Sequence, residues 1–296
     1  MPNYRFWISV VWTIVSPQIC IAQKAKIHKS NKLPSVLNET SGIISLNNGK
    51  SFWTHNDGGN PPLLIEVDPN GKILKQAKII NAQNTDWEDL HFDGKENIII
   101  GDTGNNAQTR TGGVFYTIRK NELLTTDSIE AGIIKFEFEK LTDPNHQNKS
   151  LKIYDSEAFV YLDSALFMFS KHWDKYGLKQ SIVYKIDLRS KPYRAKIIDT
   201  LYLSRGQLFK NQITSACFSQ NKETIYLLTA NAIIPINIQS LLEHSLHSKN
   251  IRKIKLKSFS QKEAIVQYNS NQFAITCERN KILFQKPKIT HLSLKY

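Results

Sequence analysis

The chain is poor in cysteine and methionine, with three Cys and two Met in 296 residues. So few thiols cannot build a disulfide-rich scaffold. Long apolar runs are also scarce. Residues 6–15 form the clearest one, and it falls well short of the roughly 20 residues a membrane helix needs. Glycine (13) and proline (10) are too few for collagen-like or low-complexity sequence, and 41% hydrophobic with 22% charged residues excludes a disordered chain or a coiled coil. A Gly-x-Ser-x-Gly elbow, a His-Glu-x-x-His helix and a phosphate-binding glycine loop are all missing. Positive charge, by contrast, is abundant. The formal net charge is +13 and the pI about 9.5, a balance that favours anionic partners or surfaces without specifying a fold.

The N-terminus has the zones of a secretory signal. Arg5 is basic, residues 6–15 are apolar, Ser16-Pro17 breaks the run, and Cys20 and Ala22 are small residues at −3 and −1 of a cut before Gln23. The sequence therefore predicts a signal peptide over 1–22 and a single mature domain over 23–296, exported to the periplasm or beyond the cell. An uncleaved anchor and a lipid on Cys20 are the alternatives. Export makes nucleic acid an unexpected partner, and no transmembrane helix is expected in the mature chain. The run Ile251-Arg-Lys-Ile-Lys-Leu-Lys257 lacks the interleaved aromatics of a nucleic-acid site and reads as an outer strand whose lysines guard an edge. Export makes a disulfide between Cys217 and Cys277 chemically possible, but they fall at different points of the repeat and are expected as two small buried apolar side chains. His244 and His247, lacking a third ligand, are expected at the surface.

Five segments begin and end alike. They start at Glu39-Thr-Ser-Gly, Trp87-Glu-Asp-Leu, Ser156-Glu-Ala-Phe, Ile213-Thr-Ser-Ala and Lys262-Glu-Ala-Ile, and each runs as apolar strand, tight polar turn, apolar strand. Two further strand-like runs follow nearly every hairpin. Four strands per unit, recurring at about 50–70 residues, predicts an all-β, five-bladed β-propeller of four-stranded antiparallel blades. Six blades is the main rival, because one interval is long, and an irregular sandwich is the other. The segment Ala25-Lys-Ile-His28 resembles the outer-strand runs Ala77-Lys-Ile-Ile80 and Ala195-Lys-Ile-Ile198, so it is expected to close the last blade, in competition with residues 289–294.

A propeller brings equivalent residues to one axis. Taking Glu39, Glu88, Glu157, Thr214 and Glu263 as equivalent gathers carboxylates at one rim, with Asn56, Asp57, Asp102, Lys171, His172, Glu278 and Arg279 at the ends of the second strands. Asp86 and Asp89 flank Glu88, Asp155 precedes Glu157, and Asn105 and Asn106 follow Asp102 in a turn. Converging carboxylates repel and are costly to bury unless paired or metal-bound. Hard oxygen donors suit calcium better than zinc, so an axial calcium is expected. The alternative is a channel neutralised by Lys171, His172 and Arg279 without metal.

The strings Trp53-Thr-His-Asn-Asp-Gly-Gly-Asn60, Asp86-Trp-Glu-Asp-Leu90, Gly101-Asp-Thr-Gly-Asn-Asn106, Asp155-Ser-Glu-Ala158 and Ser170-Lys171 resemble those of a group of exported propeller proteins of Gram-negative bacteria with no settled activity. More distantly, the layout is similar to the gluconolactonase and paraoxonase superfamily and to esterase-like phytase domains. That resemblance implies an axial calcium that polarises a lactone or phosphoester, with Glu39, Asn56, Asp57, Glu88, Asp102 and Glu157 matching in type and place. Thr214 departs from the pattern. Two functions follow as expectations. The first is a monomeric cell-envelope module binding a small polar ligand or an envelope partner, through Asn56, Asp57, Asp89, Asn105, Lys171 and Arg279. The second is a calcium-dependent hydrolase, with Glu39, Glu88, Asp102 and Glu157 as metal ligands and His172 as proton shuttle.

Overall fold

The computed structural model describes residues 24–139, 141–142, 150–151, 154–171, 180–203, 211–246, 251–256, 260–280 and 284–295. The expected signal segment, His172 and His247 lie outside them. The chain is nearly all β. It opens with β1 (Lys24–Lys32), followed by four antiparallel strands in sheet order, β2 (Thr40–Ile44), β3 (Phe52–Asn56), β4 (Leu63–Val67) and β5 (Ile73–Ile79). The next unit is β6 (Trp87–Phe92), β7 (Asn97–Asp102) and β8 (Gly112–Arg119). A short helix α1 (Lys120–Thr125) and the two-residue strand β9 (Ser128–Ile129) come before its fourth strand, β10 (Gly132–Phe138). A two-stranded excursion, β11 (Leu141–Thr142) with β12 (Ser150–Leu151), leads to β13 (Ser156–Leu162), β14 (Ala165–Ser170), β15 (Gln180–Asp187) and β16 (Arg194–Tyr202). Then come β17 (Ile213–Phe218), β18 (Thr224–Thr229), β19 (Ala232–Asn237), the short helix α2 (Ile238–Leu242) and β20 (Ile254–Lys255), and last β21 (Lys262–Asn269), β22 (Gln272–Cys277) and β23 (Lys288–Lys295).

Both termini share the last sheet, whose order is β1-β23-β22-β21. The C-terminal run takes the third place and the N-terminal strand the fourth, so the two candidates for the closing strand are both used. Parallel pairing of β10 with β16 fuses the second and third units into one eight-stranded sheet, and β9 adds a parallel edge to β5.

The inner strands neighbour one another in a cycle, β2 to β6, β6 to β13, β13 to β17, β17 to β21 and β21 back to β2. Apolar cores fill the spaces between successive sheets. Trp53 packs with Trp87 and Leu90 between the first two, and Phe52 and Ile43 with Ala264 and Ala274 between first and last. At Gly42, an added Cβ would lie 2.4 Å from the backbone nitrogen of Leu90, so β2 approaches β6 too closely for any side chain there. Cys217 and Cys277 are buried and unbridged, His244 is exposed, and no helix among the described residues is long and apolar enough to cross a membrane.

Candidate functional site: an acidic mouth on a ring of bulges

Each inner strand carries a register irregularity near its start. It falls between Thr40 and Ile43, Trp87 and Asp89, Ser156 and Ala158, Ile213 and Ser215, and Lys262 and Ala264. A bulge kinks a strand and re-aims the side chain of its extra residue. The residues at these bulges are Ser41, Glu88, Glu157, Thr214 and Glu263. This register corrects the expected frame. Glu39 aligns with Asp86 and Asp155, two residues before the row of Glu88 and Glu157, because Thr40 pairs with Asn56 as Trp87 pairs with Asp102 and Ser156 with Ser170.

The mouth is built from Asp57, Asp86, Glu88, Asp155 and Glu157. Carboxylate oxygens of Asp57, Asp86 and Glu88 lie within 4.8 Å of one another, and so do those of Glu88, Asp155 and Glu157. Glu88 therefore belongs to both triads. It is 5% exposed, and its buried Oε1 has no hydrogen-bond partner among the described residues. Gly104 faces it. A Cβ at that position would fall 2.1 Å from Glu88 Oε1 and 2.5 Å from Asp86 Cγ, so any side chain there would collide with these carboxyl groups. Lys171 is the counter-charge: its Nζ pairs with Glu157 and donates to Asn106 Oδ1 at 3.3 Å.

The electrostatics follow from this crowding. Burial and the neighbouring Asp57 and Asp155 push the Glu88 carboxyl well up, against a partial pull from Lys171. Asp86 is raised to about 6 by burial and by Asp57 and Asp155, and Asp57 is raised by burial. Glu263 and Glu278 complete the acidic ring. Burial and Glu278 raise Glu263 to about 8, and burial with Asp57 and Glu39 raises Glu278 to about 7. Burial and mutual repulsion thus favour the protonated forms of these groups, and a cation beside them would relieve the same repulsion.

Of the residues expected in the site, Asp57, Glu88, Glu157 and Lys171 are brought together. The others are placed differently. Asp102 is held by Arg110 at 2.8 Å and accepts the N–H groups of Thr85 and Asp86 at 3.2 Å each, so it braces the loop that carries Asp86 rather than facing a ligand. Asp89 reaches across the ring to β17, accepting from Ala216 N at 3.0 Å and Ser215 Oγ at 3.1 Å, with burial raising it to about 8. It is a strut, not a ligand. Asn56 spends its amide on Glu39 N and the Val36 carbonyl, and the Asn105 side chain bonds the backbone of Arg110. Glu39 is exposed at the rim, its Oε2 accepting from Asn60 at 2.7 Å. Arg279 is exposed, its backbone N–H bound to the Asn38 carbonyl. Arg110 was not anticipated. Only a lone cation after the Gly-Asn-Asn turn could have signalled it.

The carboxylate donors, with the orphaned Glu88 oxygen among them, are of the chemistry that suits a hard, oxygen-seeking cation such as calcium.

The sequence matches no protein-family model, and the comparison with curated proteins gave no match. Solved structures resemble its fold. The PQQ-bound aldose sugar dehydrogenase of Streptomyces coelicolor superposes with a TM-score of 0.52 at 7% identity, over 92% of this chain and 98% of that one. A nidogen–laminin complex gives 0.46 at 9% identity over 86% and 85%, and the periplasmic gluconolactonase of Pseudomonas aeruginosa 0.37 at 8% over 87% and 68%. At 7% identity the likeness to the sugar dehydrogenase is one of fold alone, and the cycle of inner strands in this chain is propeller-like.

Proposed function

We propose that the chain is an exported, single-domain propeller of five four-stranded blades whose acidic mouth binds calcium, serving as a cell-envelope module for a small polar ligand or partner. The cycle of five inner strands and the sharing of the last sheet between both termini support five blades. Export rests on the zones of residues 1–22. The observation that carries the site is Glu88, common to two carboxylate triads with a buried oxygen left without a partner. When bound, calcium would neutralise charge and offer a Lewis-acidic position. Glu88, Asp86, Asp57 and Asp155 would hold it, while Lys171 pairs with Glu157 and Arg110, bound to Asp102, fixes the loop that carries Asp86.

Isothermal titration of calcium into chelator-treated protein tests this. Binding is expected in the natural chain and lost in a Glu88→Gln, Glu157→Gln double variant; no binding in either would leave a proton-shared structural channel. A second reading, calcium-dependent hydrolysis of a lactone or phosphoester, is favoured by Glu278, which stands beside the ligand set at about 7, where a general acid or base is effective. Turnover of such substrates that is lost in Glu278→Gln while calcium still binds would establish it.

A further inference from the structure

Beside the acidic mouth lies a cavity of about 730 Å³ whose chemistry is the reverse of the mouth's. One wall is the segment entering β2, around Lys32 and Asn38. The other is formed by Arg279, Phe284, Gln285 and Lys286, which lie between β22 and β23. The walls are fixed to each other by two backbone bonds, Leu33 N–H to the Pro287 carbonyl at 2.8 Å and Arg279 N–H to the Asn38 carbonyl at 2.7 Å. Asn280 and Gln285 exchange backbone bonds at 3.0 and 2.9 Å, which sets the base of the link. The cavity is therefore framed rather than an accident of loose loops, and its volume is that of a small-molecule site.

Among the described residues its lining holds three cations, Lys32, Arg279 and Lys286, and no carboxylate. Glu39 and Glu278 stand one residue away on either wall, yet neither lines it. Gln285 adds a buried Nε2 that has no hydrogen-bond partner among the described residues, a donor that awaits an acceptor. Phe284 is 95% exposed and is held at a positive φ of 50°. A bulky residue pays for that backbone conformation, and here it gains no burial in return. An aromatic face at the rim of a cationic cavity is suited to stacking on a flat or apolar ligand surface.

We infer that this cavity is a second binding site, separate from the acidic mouth, for a small organic oxyanion. Arg279, Lys286 and Lys32 receive its phosphate or carboxylate, Gln285 donates one further hydrogen bond, and Phe284 covers its apolar part. The excess of positive charge on the chain steers such a ligand inward.

The test titrates phenyl phosphate and inorganic phosphate, separately, into the full natural chain, without calcium. Both probes are expected to bind. Arg279→Ala with Lys286→Ala should weaken both by about tenfold or more. Phe284→Ala should weaken phenyl phosphate several-fold and leave inorganic phosphate unchanged. All these side chains are exposed, so an unchanged melting temperature verifies folding in each variant. Failure of either probe to bind the natural chain, or binding that survives the double variant, overturns the inference. Vesicles containing phosphatidylglycerol form a further arm. Capture by vesicles without binding of the soluble probes overturns the small-molecule site in favour of a lipid surface. The calcium titration is independent of every arm, so the acidic mouth can fail without touching this result.

Discussion

The same bulge position does opposite work in different parts of the ring. At Ser41 and Thr214 it carries a hydroxyl that donates to the neighbouring inner strand, Ser41 to the Glu88 carbonyl and Thr214 to the Lys262 carbonyl at 2.8 Å. At Glu88, Glu157 and Glu263 it carries a carboxylate, which cannot donate once ionised and is turned instead toward other carboxylates. The backbone is common to both groups. The comparison teaches that the ring is knitted through the bulge residue where it can donate and charged where it cannot.

Four changes would break or sharpen this division. The largest effect on stability is expected at Asp89→Ala, which strands Ser215 Oγ and the Ala216 N–H in the interior. A loss of about 2–4 kcal/mol is expected in denaturant unfolding, with Asp89→Asn recovering part of it. A loss below 0.5 kcal/mol would mean that the strut is dispensable.

Gly104→Ala comes next. Its methyl group would intrude on Glu88 Oε1 and Asp86, so calcium affinity is expected to fall by about tenfold with little change in melting temperature. Unaltered affinity would move the cation away from this cradle.

The third change is pH. Glu278, Glu263 and Asp89 have folded-state values of about 7, 8 and 8, above their ordinary ones. The folded protein thus binds more protons than the unfolded chain, and stability must fall as pH rises through that range. His55 and His91, lowered by burial to about 4, act oppositely but below pH 7, where the unfolded chain begins to protonate them. Metal-free protein is therefore expected to melt progressively lower from pH 7 to 8.5, and calcium should flatten that slope. A melting temperature that is constant or rises over this range contradicts the assignment of the ring.

The smallest effect is expected for Thr214→Val. It removes one neutral hydrogen bond, at a cost of about 1 kcal/mol, and should leave calcium titration untouched. A change in calcium affinity would show that the knitted units and the charged ones are coupled.

Much of this architecture was legible along the chain. The strands Phe52–Asn56, Asn97–Asp102, Ala165–Ser170, Thr224–Thr229 and Gln272–Cys277 fall where apolar runs and polar turns predict second strands, because alternation and turn chemistry are local properties. The clustering of Glu88 and Glu157 with Asp57 and Lys171 followed from the repeat alone. The register of Glu39 did not, since an extra residue in a strand leaves no compositional mark. Nor did the duties of Asp89 and Asp102, whose partners Ser215 and Arg110 lie far away or in a turn.

The sequence by itself determined the repeating unit, the strand count within it and the kind of residue delivered to one rim, since these depend on period and spacing. Only the tertiary structure decided which carboxylates stay unpaired. That depends on distances between side chains on different strands: Arg110 claims Asp102, Ser215 claims Asp89, and Gly104 lies against Glu88 with no side chain to collide with it.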